Sequence, residues 1–254
     1  MTKYLDVALF TAKAAGHVIR SQYGKNQRIG RKQSGEEVTE TDRAAENTIR
    51  KSIARQFPDH GFWGEETGRT PGHEYTWIVD PIDGTTNFVR GIPHFAVSIA
   101  LAKKGKSVLG VVLNPASGET FWAESGGAFL NGKKIRVRPQ NALEAAAMEI
   151  TMRSPEGFAQ NRKWMNRLLH PRMSLKSFGS AALSACYVAA GRLDASFDIR
   201  ANAYDIAAGA HIAEQAGARV TQANGKPLDL RNEKTSFIIA CSRGTHRQVT
   251  ETAP

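Results

Sequence analysis

The sequence predicts a mixed protein of the α+β / α/β class, in which helices pack against β-sheets. Amphipathic helical segments open the chain, antiparallel strand signals occupy its middle, and helices alternate with strands in its C-terminal half. A chain of 254 residues, 41% of them hydrophobic, can bury a sizeable core in one large domain or in two closely associated ones.

Two helices are predicted near the N-terminus from apolar residues that recur at helical spacing. The first covers residues 5–23, and the second begins near Thr39 and runs to about Phe57. Thr39 and Asp42 have the spacing of a capping box, in which each side chain bonds the backbone N–H of the other residue. The polar segment between the two helices, residues 25–37, predicts a loop or an edge hairpin.

Strand signals dominate the next part of the chain. Residues 59–64 are expected to form a turn, and the apolar run Trp77–Val79 predicts a buried strand. Further strands are predicted at residues 96–102, 107–113 and 119–123, and in a hairpin at 129–135. The dipeptide Asn131-Gly132 supplies the positive φ angles of a type I′ turn in that hairpin.

Pro139–Ala142 is the predicted boundary between an N-terminal lobe, residues 1–140, and a C-terminal lobe, residues 141–254, which together form one compact unit. In the second lobe, strands are expected at residues 147–152, 195–197 and 236–240, and helices at residues 162–169, 179–190 and 204–216. The polar tail, residues 242–254, is expected to be partly disordered.

The composition restricts the class of protein and its partners. A net charge of +10 favours anionic partners such as phosphorylated metabolites, nucleic acid or an acidic protein, although a solvated basic surface explains it equally well. No run approaches the roughly 18 apolar residues of a membrane span, and no signal peptide is seen at the start. Cys186 and Cys241 lie in apolar runs and predict buried free thiols, so a cytoplasmic protein is expected.

The most informative stretch runs from Asp80 to Phe88. Asp80 and Asp83 follow a buried strand, where two carboxylates repel each other unless a cation neutralises them, and their oxygens suit Mg²⁺. Gly84 and Thr85 come next, and their backbone N–H groups are suited to phosphate if a helix starts here. A simple turn with hydroxyl capping is the plainer interpretation.

Other residues supply the remaining parts of a hydrolytic site. Glu65 and Asp205 are further acidic residues placed at the ends of elements, although Asp205 is equally suited to cap its helix. The Thr85 hydroxyl can orient an attacking water while Asp42 accepts its proton. Two neighbouring metal ions would stabilise both the attacking and the leaving oxygen of a phosphoryl transfer.

The run from Trp77 to Phe88 resembles the signature of the inositol monophosphatase family, W-I-[IV]-D-P-[IL]-D-G-T-T-N-F. Further motifs of that family occur in the same order, and the resemblance extends from about Leu5 to Ala240. They are Thr39–Asp42, Gly64–Glu66, Phe178–Leu183, Gly191–Ala195, and Tyr204–Gly209 followed by Glu214–Gly217. This resemblance implies a layered αβαβα sandwich, a homodimer, sensitivity to Li⁺ and two or three Mg²⁺ ions per site.

The resemblance also implies roles for individual residues. It assigns one Mg²⁺ ion to Glu65, Asp80 and the Ile82 carbonyl, and a second to Asp80, Asp83 and Asp205, with a weaker third ion near Glu65. Glu65, Thr85 and Asp42 become the catalytic set, and backbone groups of Gly84 and Thr85 bind phosphate. The substrate-binding residues are expected to be Gly179, Ser180, Ala181, Asp198 and Arg200.

Four residues depart from the family pattern or extend it. Tyr204 replaces the usual tryptophan, and Asp198 stands where inositol-specific members commonly carry a glutamate. Arg200 is suited to a second phosphate on the substrate, or alternatively to a surface salt bridge. Lys32 lies in a polar loop that either closes over the site and helps to hold the third ion or is simply solvated.

The first-choice substrate is therefore inositol-1-phosphate, with fructose-1,6-bisphosphate or a dual activity as the main alternative. A histidinol-phosphate phosphatase is a further alternative, since Tyr-Asp also occurs in that branch, whereas a nucleotide 3′-phosphatase fits less well. A regulatory protein that associates with nucleic acid or the transcription machinery is the alternative from another class. Its support is a set of cations near two turns: Lys103, Lys104, Lys106, Lys133, Lys134, Arg136 and Arg138.

Overall fold

Two β-sheets and the helices around them form the framework of the protein. The computed structural model describes residues 2–31, 37–141, 146–150 and 155–253. In chain order the helices are α1 (Lys3–Gln22), α2 (Glu40–Gln56), α3 (Thr85–Val89), α4 (Pro155–Leu168), α5 (Ala181–Ala189), α6 (Ala203–Gln215) and α7 (Arg243–Thr252). The strands are β1 (Ile29–Arg31), β2 (Glu37–Thr39), β3 (Gly61–Gly64), β4 (Gly68–Thr70), β5 (Tyr75–Asp83), β6 (Ala96–Lys103), β7 (Lys106–Leu113), β8 (Thr120–Glu124), β9 (Gly127–Leu130), β10 (Lys133–Ile135), β11 (Ala147–Ile150), β12 (Ser174–Lys176), β13 (Ala195–Asn202), β14 (Arg219–Thr221) and β15 (Lys234–Ala240).

The two large sheets differ in strand direction. The eight-stranded sheet has the order β10-β9-β8-β7-β6-β5-β3-β4 and is antiparallel apart from the parallel pair β3/β5. The five-stranded sheet has the order β12-β11-β13-β15-β14, parallel from β12 to β13 and antiparallel beyond. The antiparallel strands predicted for the first half are therefore confirmed, and the second half is a mixed sheet with helical connections.

Alternating side chains of each sheet define five layers. On β5, Trp77 faces a cluster with α1 and α2, whereas Ile78 faces α5 and α6, because successive strand residues point to opposite sides. On β15, Ile239 joins the α5/α6 cluster and Ile238 packs toward α4 and α7. The order is helices, sheet, helices, sheet, helices, which confirms the predicted αβαβα sandwich.

Local sequence signals place several elements correctly. The Thr39 backbone N–H donates to Asp42 Oδ2 at 2.8 Å, and the Thr39 hydroxyl accepts from the Thr41 N–H at 3.2 Å, at the start of α2. Asn131 and Gly132 have φ angles of 48° and 79°, as a type I′ turn requires. At the described ends of the polar segment 25–37, β1 pairs with β2 in an antiparallel arrangement, which agrees with the hairpin interpretation, and residues 32–36 lie outside the described residues.

Two expectations are wrong. Residues 61–64 form strand β3 instead of part of a turn, because hydrogen bonds to the parallel strand β5 stabilise a segment too short to show a periodic pattern. The tail forms α7 instead of a partly disordered end. Ser242 caps this helix, Val249 is fully buried, and the Trp164 indole N–H donates to the Val249 carbonyl at 3.0 Å.

The division into lobes at residue 140 stays a prediction. One buried cluster contains Trp63 and Ile78 from the first half together with Phe237 and Ile239 from the second. The two halves therefore share a core.

None of the helices in the described part of the chain has the length and apolar composition needed to cross a membrane.

His211 predicts a loss of stability at acidic pH. It is buried in α6, neither ring nitrogen has a hydrogen-bond partner among the described residues, and burial lowers its pKa from 6.5 to about 4. Below pH 6.5, His211 therefore binds a proton in the unfolded chain, whereas in the folded protein it stays neutral until about pH 4. In the wild type, His211 should lower the free energy of unfolding by about 2 kcal/mol between neutral pH and about pH 5. We expect His211→Leu to lack this contribution.

Urea unfolding of the wild type and of His211→Leu at both pH values measures this difference. Equal decreases in the two proteins would contradict it. The difference between the pH-dependent changes in the free energy of unfolding of the two proteins removes the contribution of the other titrating groups.

Candidate active site

Three buried carboxylates meet at one end of β5. Asp80 and Asp83 belong to this strand, Asp205 lies in the first turn of α6, and one oxygen atom from each lies within 4.8 Å of the others. Residues three apart in a regular strand point to opposite faces. A register shift between Asp80 and Asp83 interrupts the pairing with β6, which allows both carboxylates to face Asp205.

The charges in this cluster oppose one another. Burial raises the pKa of Asp80 well above its ordinary value, and the neighbouring Glu65, Asp83 and Asp205 raise it further. A bound divalent cation would relieve this repulsion. The donor set consists of carboxylate oxygens, which are the ligands that Mg²⁺ prefers, so these residues fit such an ion.

Asp83 also connects β5 with α5, a helix of the layer between the two sheets. Its Oδ2 atom accepts hydrogen bonds from the Ser180 hydroxyl at 2.6 Å and from the Ala182 N–H at 2.8 Å, at the start of α5. The buried Ser180 hydroxyl, an expected substrate contact, is thus directed at a candidate metal ligand. Ser180 and Ala181 are both buried, and their role toward substrate stays a prediction.

Asp205 is held by the residue that precedes its helix. Its Oδ2 atom accepts from the Asn202 backbone N–H at 2.9 Å and from Asn202 Nδ2 at 3.2 Å. The Asn202 side chain in turn accepts a hydrogen bond from the Lys234 ammonium. Asp205 therefore caps α6 and joins the acidic cluster at the same time, so the two interpretations of this residue do not exclude each other.

Thr85 and Asp42 are in contact, as the sequence predicts. Thr85 Oγ1 lies 3.0 Å from Asp42 Oδ1 and 3.0 Å from the Ile82 carbonyl oxygen. The other oxygen of Asp42 accepts two hydrogen bonds from Thr39, and burial raises the Asp42 pKa. The carboxylate is therefore fixed in orientation, and burial makes it a better proton acceptor than an exposed aspartate.

Gly84 lies where two backbones approach closely. Its φ angle is 94°, and a Cβ atom at this position would lie 3.1 Å from the His94 carbonyl and 3.2 Å from the Gly179 carbonyl. The Asn87 side chain bridges the same segments, donating to the His94 and Phe178 carbonyls at 2.7 Å. Only glycine fits position 84 without strain, and Gly179 stands directly opposite.

Comparison with known proteins identifies the family. A sequence model of the Inositol monophosphatase family matches residues 1–253. The chain belongs to this family. Inositol monophosphatase 2 of Solanum lycopersicum is 43% identical over 251 residues, covering 94% of this chain and 95% of that protein. Nus factor SuhB of Pasteurella multocida is 39% identical over 236 residues, covering 89% of this chain and 87% of the relative.

Solved structures agree with this assignment. The IMPase of Thermotoga maritima superposes with a TM-score of 0.89 at 36% identity, covering 99% of this chain and 96% of that one. The resemblance predicted from the motifs is therefore confirmed, and so is the layered fold. Inositol monophosphatases are metal-dependent phosphatases, and this member contains a buried acidic cluster suited to metal.

The predicted substrate residues of β13 differ in exposure. Asp198 is buried, and its Oδ1 atom accepts the Arg200 backbone N–H at 3.0 Å, whereas the Arg200 side chain is exposed. The pairing of β13 with β15 shifts register between Asp198 and Ala201, the segment that contains both residues. A role in substrate binding stays a prediction for both residues, and Lys32 lies outside the described residues.

Glu46 is a residue of the site that the family motifs do not identify. It is fully buried in α2, one turn after Asp42, and its two carboxylate oxygens accept from the N–H groups of Glu66 and Thr67 at 2.8 and 2.7 Å. A Cβ atom on Gly64 would come within 2.5 Å of Glu46 Oε1. Helix α2 therefore positions Asp42 and also the segment that carries Glu65. The signal in the sequence that could have identified Glu46 is an acidic residue on the apolar face of a predicted helix.

We expect Glu46→Gln to weaken metal activation. The glutamine oxygen can replace one carboxylate oxygen, but its NH₂ group would face the second backbone N–H and displace the segment that carries Glu65. The Mg²⁺ concentration for half-maximal phosphate release should rise about tenfold, as is usual for groups that support metal ligands. Glu40→Gln, at an exposed position of the same helix, is the matched control. Unchanged Mg²⁺ dependence in Glu46→Gln would refute the positioning role.

Proposed function

We propose that this protein hydrolyses a small phosphate monoester in a Mg²⁺-dependent reaction, with inositol-1-phosphate as the first-choice substrate. The observation that carries the proposal is the buried acidic cluster of Asp80, Asp83 and Asp205, together with the Thr85–Asp42 contact. A cluster of this kind suits a cation, and a hydroxyl that is hydrogen-bonded to a carboxylate is suited to orient and deprotonate a water nucleophile.

The chain's own residues divide the work of the reaction. Asp80, Asp83, Asp205 and Glu65, with the Ile82 carbonyl, would hold the metal, and backbone N–H groups of Gly84 and Thr85 would bind the phosphate. When bound, Mg²⁺ neutralises charge that develops on the phosphoryl group and on the leaving oxygen.

Proton movement is assigned to two residues. The Thr85 oxygen accepts a hydrogen bond from the attacking water while its own proton is directed to Asp42. The new bond between the water oxygen and phosphorus forms as the bond to the alcohol oxygen breaks, and the water proton passes through Thr85 to Asp42. The alcohol leaves with a proton from solvent.

A substrate panel tests the proposal. Phosphate release is measured from inositol-1-phosphate, fructose-1,6-bisphosphate and histidinol phosphate, with and without Mg²⁺ and Li⁺, and the kcat/KM values are compared. We expect Mg²⁺-dependent turnover that is highest on inositol-1-phosphate and is inhibited by Li⁺. Absence of Mg²⁺-dependent release from all three would reject the proposal, and a preference for fructose-1,6-bisphosphate would favour the alternative activity, for which Arg200 is the proposed contact to the second phosphate.

A second candidate function is a regulatory one on the same fold. It is favoured by the similarity to a protein named Nus factor SuhB and by the net charge of +10. Salt-dependent binding of RNA at physiological ionic strength would support it, and no binding would count against it. A homodimer is proposed for either function, and light scattering of the purified protein tests the mass.

A further inference from the structure

A cavity lies beside the eight-stranded sheet, apart from the acidic cluster. Its volume is about 350 Å³, at the small end of the range of about 300–1,000 Å³ for ligand pockets. Strands β3 and β4, the turn between β6 and β7, and the segment at residues 230 and 231 surround it. Asp80, Asp83 and Asp205 do not line it.

The inner wall of this cavity is apolar and includes an aromatic ring. Trp63, Ile78, Ala102 and Leu230 are all buried side chains of the sheet and its cover. The Arg69 guanidinium carbon lies 3.5 Å from the centre of the Trp63 ring, as in a cation–π contact. Such a wall suits a flat, apolar body that packs beside the stacked pair.

The charged residues that line the cavity, among those described, are all cations: Arg69, Lys104 and Arg231. Arg231 is paired with Asp229 through bonds of 2.6 and 2.9 Å, and Arg69 donates to the Arg231 carbonyl at 2.7 Å. These contacts fix two of the guanidinium groups in place. The Lys104 ammonium has no hydrogen bond or ion pair to any residue in the described ranges.

Lys104 has an unusual backbone conformation. Its φ angle is 52°, in the turn with Gly105, where a lysine offers no conformational advantage over asparagine. Its neighbour Lys103 is paired with Glu74 at 2.7 Å, so the two adjacent lysines have different surroundings. The basic turn noted in the sequence thus contributes to the cavity lining a cation that has no ion-pair partner among the described residues.

We propose that this cavity binds a small organic anion, with its acidic group at Lys104 and Arg69 and its flat apolar body against the Trp63 wall. The site is separate from the acidic cluster, where three carboxylates would repel an anion in the absence of metal. It is therefore an additional ligand site and is independent of the proposed phosphatase activity.

Calorimetric titration with naphthalene-1-sulfonate tests the site, since this aromatic anion has no phosphate ester to hydrolyse. Naphthalene-1-sulfonamide supplies the same ring without the charge, and inorganic sulfate supplies the charge without the ring. We expect one site for the sulfonate on the full-length wild type, and at least about tenfold weaker binding of both comparison compounds.

Variants assign the binding to the cavity. Lys104→Asn removes the unpaired cation at a position that asparagine tolerates, and should raise the Kd of the sulfonate about tenfold. Lys106→Asn makes the same charge change at the start of β7, directly after the turn, at a residue that does not line the cavity, and should leave the Kd unchanged. Arg69→Lys keeps the charge but loses the planar group, so it should also weaken binding.

The outcomes discriminate clearly. Wild-type affinity in Lys104→Asn would overturn the proposal, as would a changed Kd in Asp83→Asn, which would place the sulfonate at the acidic cluster. Sulfate that binds as well as the sulfonate would also overturn it, because the apolar wall would then have no role. Phosphate release without the probe should be the same in Lys104→Asn and wild type, which separates this site from catalysis.

Discussion

Asp83→Asn should reduce metal-dependent phosphate release by at least about 10³-fold, because metal coordination provides several kcal/mol of transition-state stabilisation. Asp83 is one of three carboxylates whose oxygens lie within 4.8 Å of each other. Asparagine supplies one oxygen and one NH₂ group. If that oxygen keeps the hydrogen bonds from Ser180 and Ala182, only the NH₂ group remains to face the cluster, and it cannot bind a cation.

The substitution should leave the fold intact. The two hydrogen bonds that join β5 to the start of α5 can both be accepted by the asparagine oxygen, so packing between the layers is preserved. Removal of one negative charge from a repelling cluster also stabilises the metal-free protein. We therefore expect the free energy of unfolding in the absence of metal to be unchanged or higher, which urea titration measures.

Asp194→Asn is the matched control for loss of a buried carboxylate. Asp194 is buried and accepts the Ala147 N–H at 2.8 Å in the second sheet. It should cost stability while kcat stays near wild type. Turnover of Asp83→Asn within about tenfold of wild type at saturating Mg²⁺ would contradict the proposed metal site. Calorimetric titration with Mg²⁺ shows whether Asp83→Asn loses metal binding or binds the metal and is defective in the chemical step.

Local and consecutive features of the site could be predicted from the sequence. The capping box of Thr39 and Asp42 depends on residues three apart, and the Asp80–Phe88 run specifies its own turn through Gly84. Contacts between distant residues that lie outside the motifs could not. Glu46 acts on backbone groups about twenty residues away, and only the packing of α2 against β3 shows which N–H groups it meets.

The same distinction explains the errors in the fold. Strand β3 has four residues, too few for a periodic pattern, and exists because β5 offers a parallel partner. Helix α7 has few apolar residues, and its order depends on Val249 and on the Trp164 hydrogen bond across the layer. Tertiary contacts stabilise these two elements although their local sequence signals are weak.

Thr85→Val should lower kcat by about 10²–10³-fold, the range usual for loss of general-base assistance, with little change in the KM for substrate. Valine keeps the shape of threonine but removes the hydroxyl that lies 3.0 Å from Asp42 Oδ1. No group then links the attacking water to that carboxylate. The acidic cluster is untouched, so Mg²⁺ binding measured by calorimetry should stay close to that of wild type.

Two further substitutions at these positions sharpen the test. Thr85→Ser retains the hydroxyl and should recover most of the activity, whereas Thr86→Val alters an exposed neighbouring hydroxyl and should have little effect. Asp42→Asn keeps the shape of the carboxylate but cannot accept a proton at neutral pH, so its loss of kcat should approach that of Thr85→Val.

The double variant decides whether Thr85 and Asp42 act as one unit. If the proton passes from water through the Thr85 hydroxyl to Asp42, removal of either residue breaks the same path. The second substitution should then add little to the first. Losses of kcat that multiply in the double variant would mean that the two residues contribute independently. The 3.0 Å contact between them would then be structural, because Asp42 also caps α2 through its hydrogen bonds to Thr39.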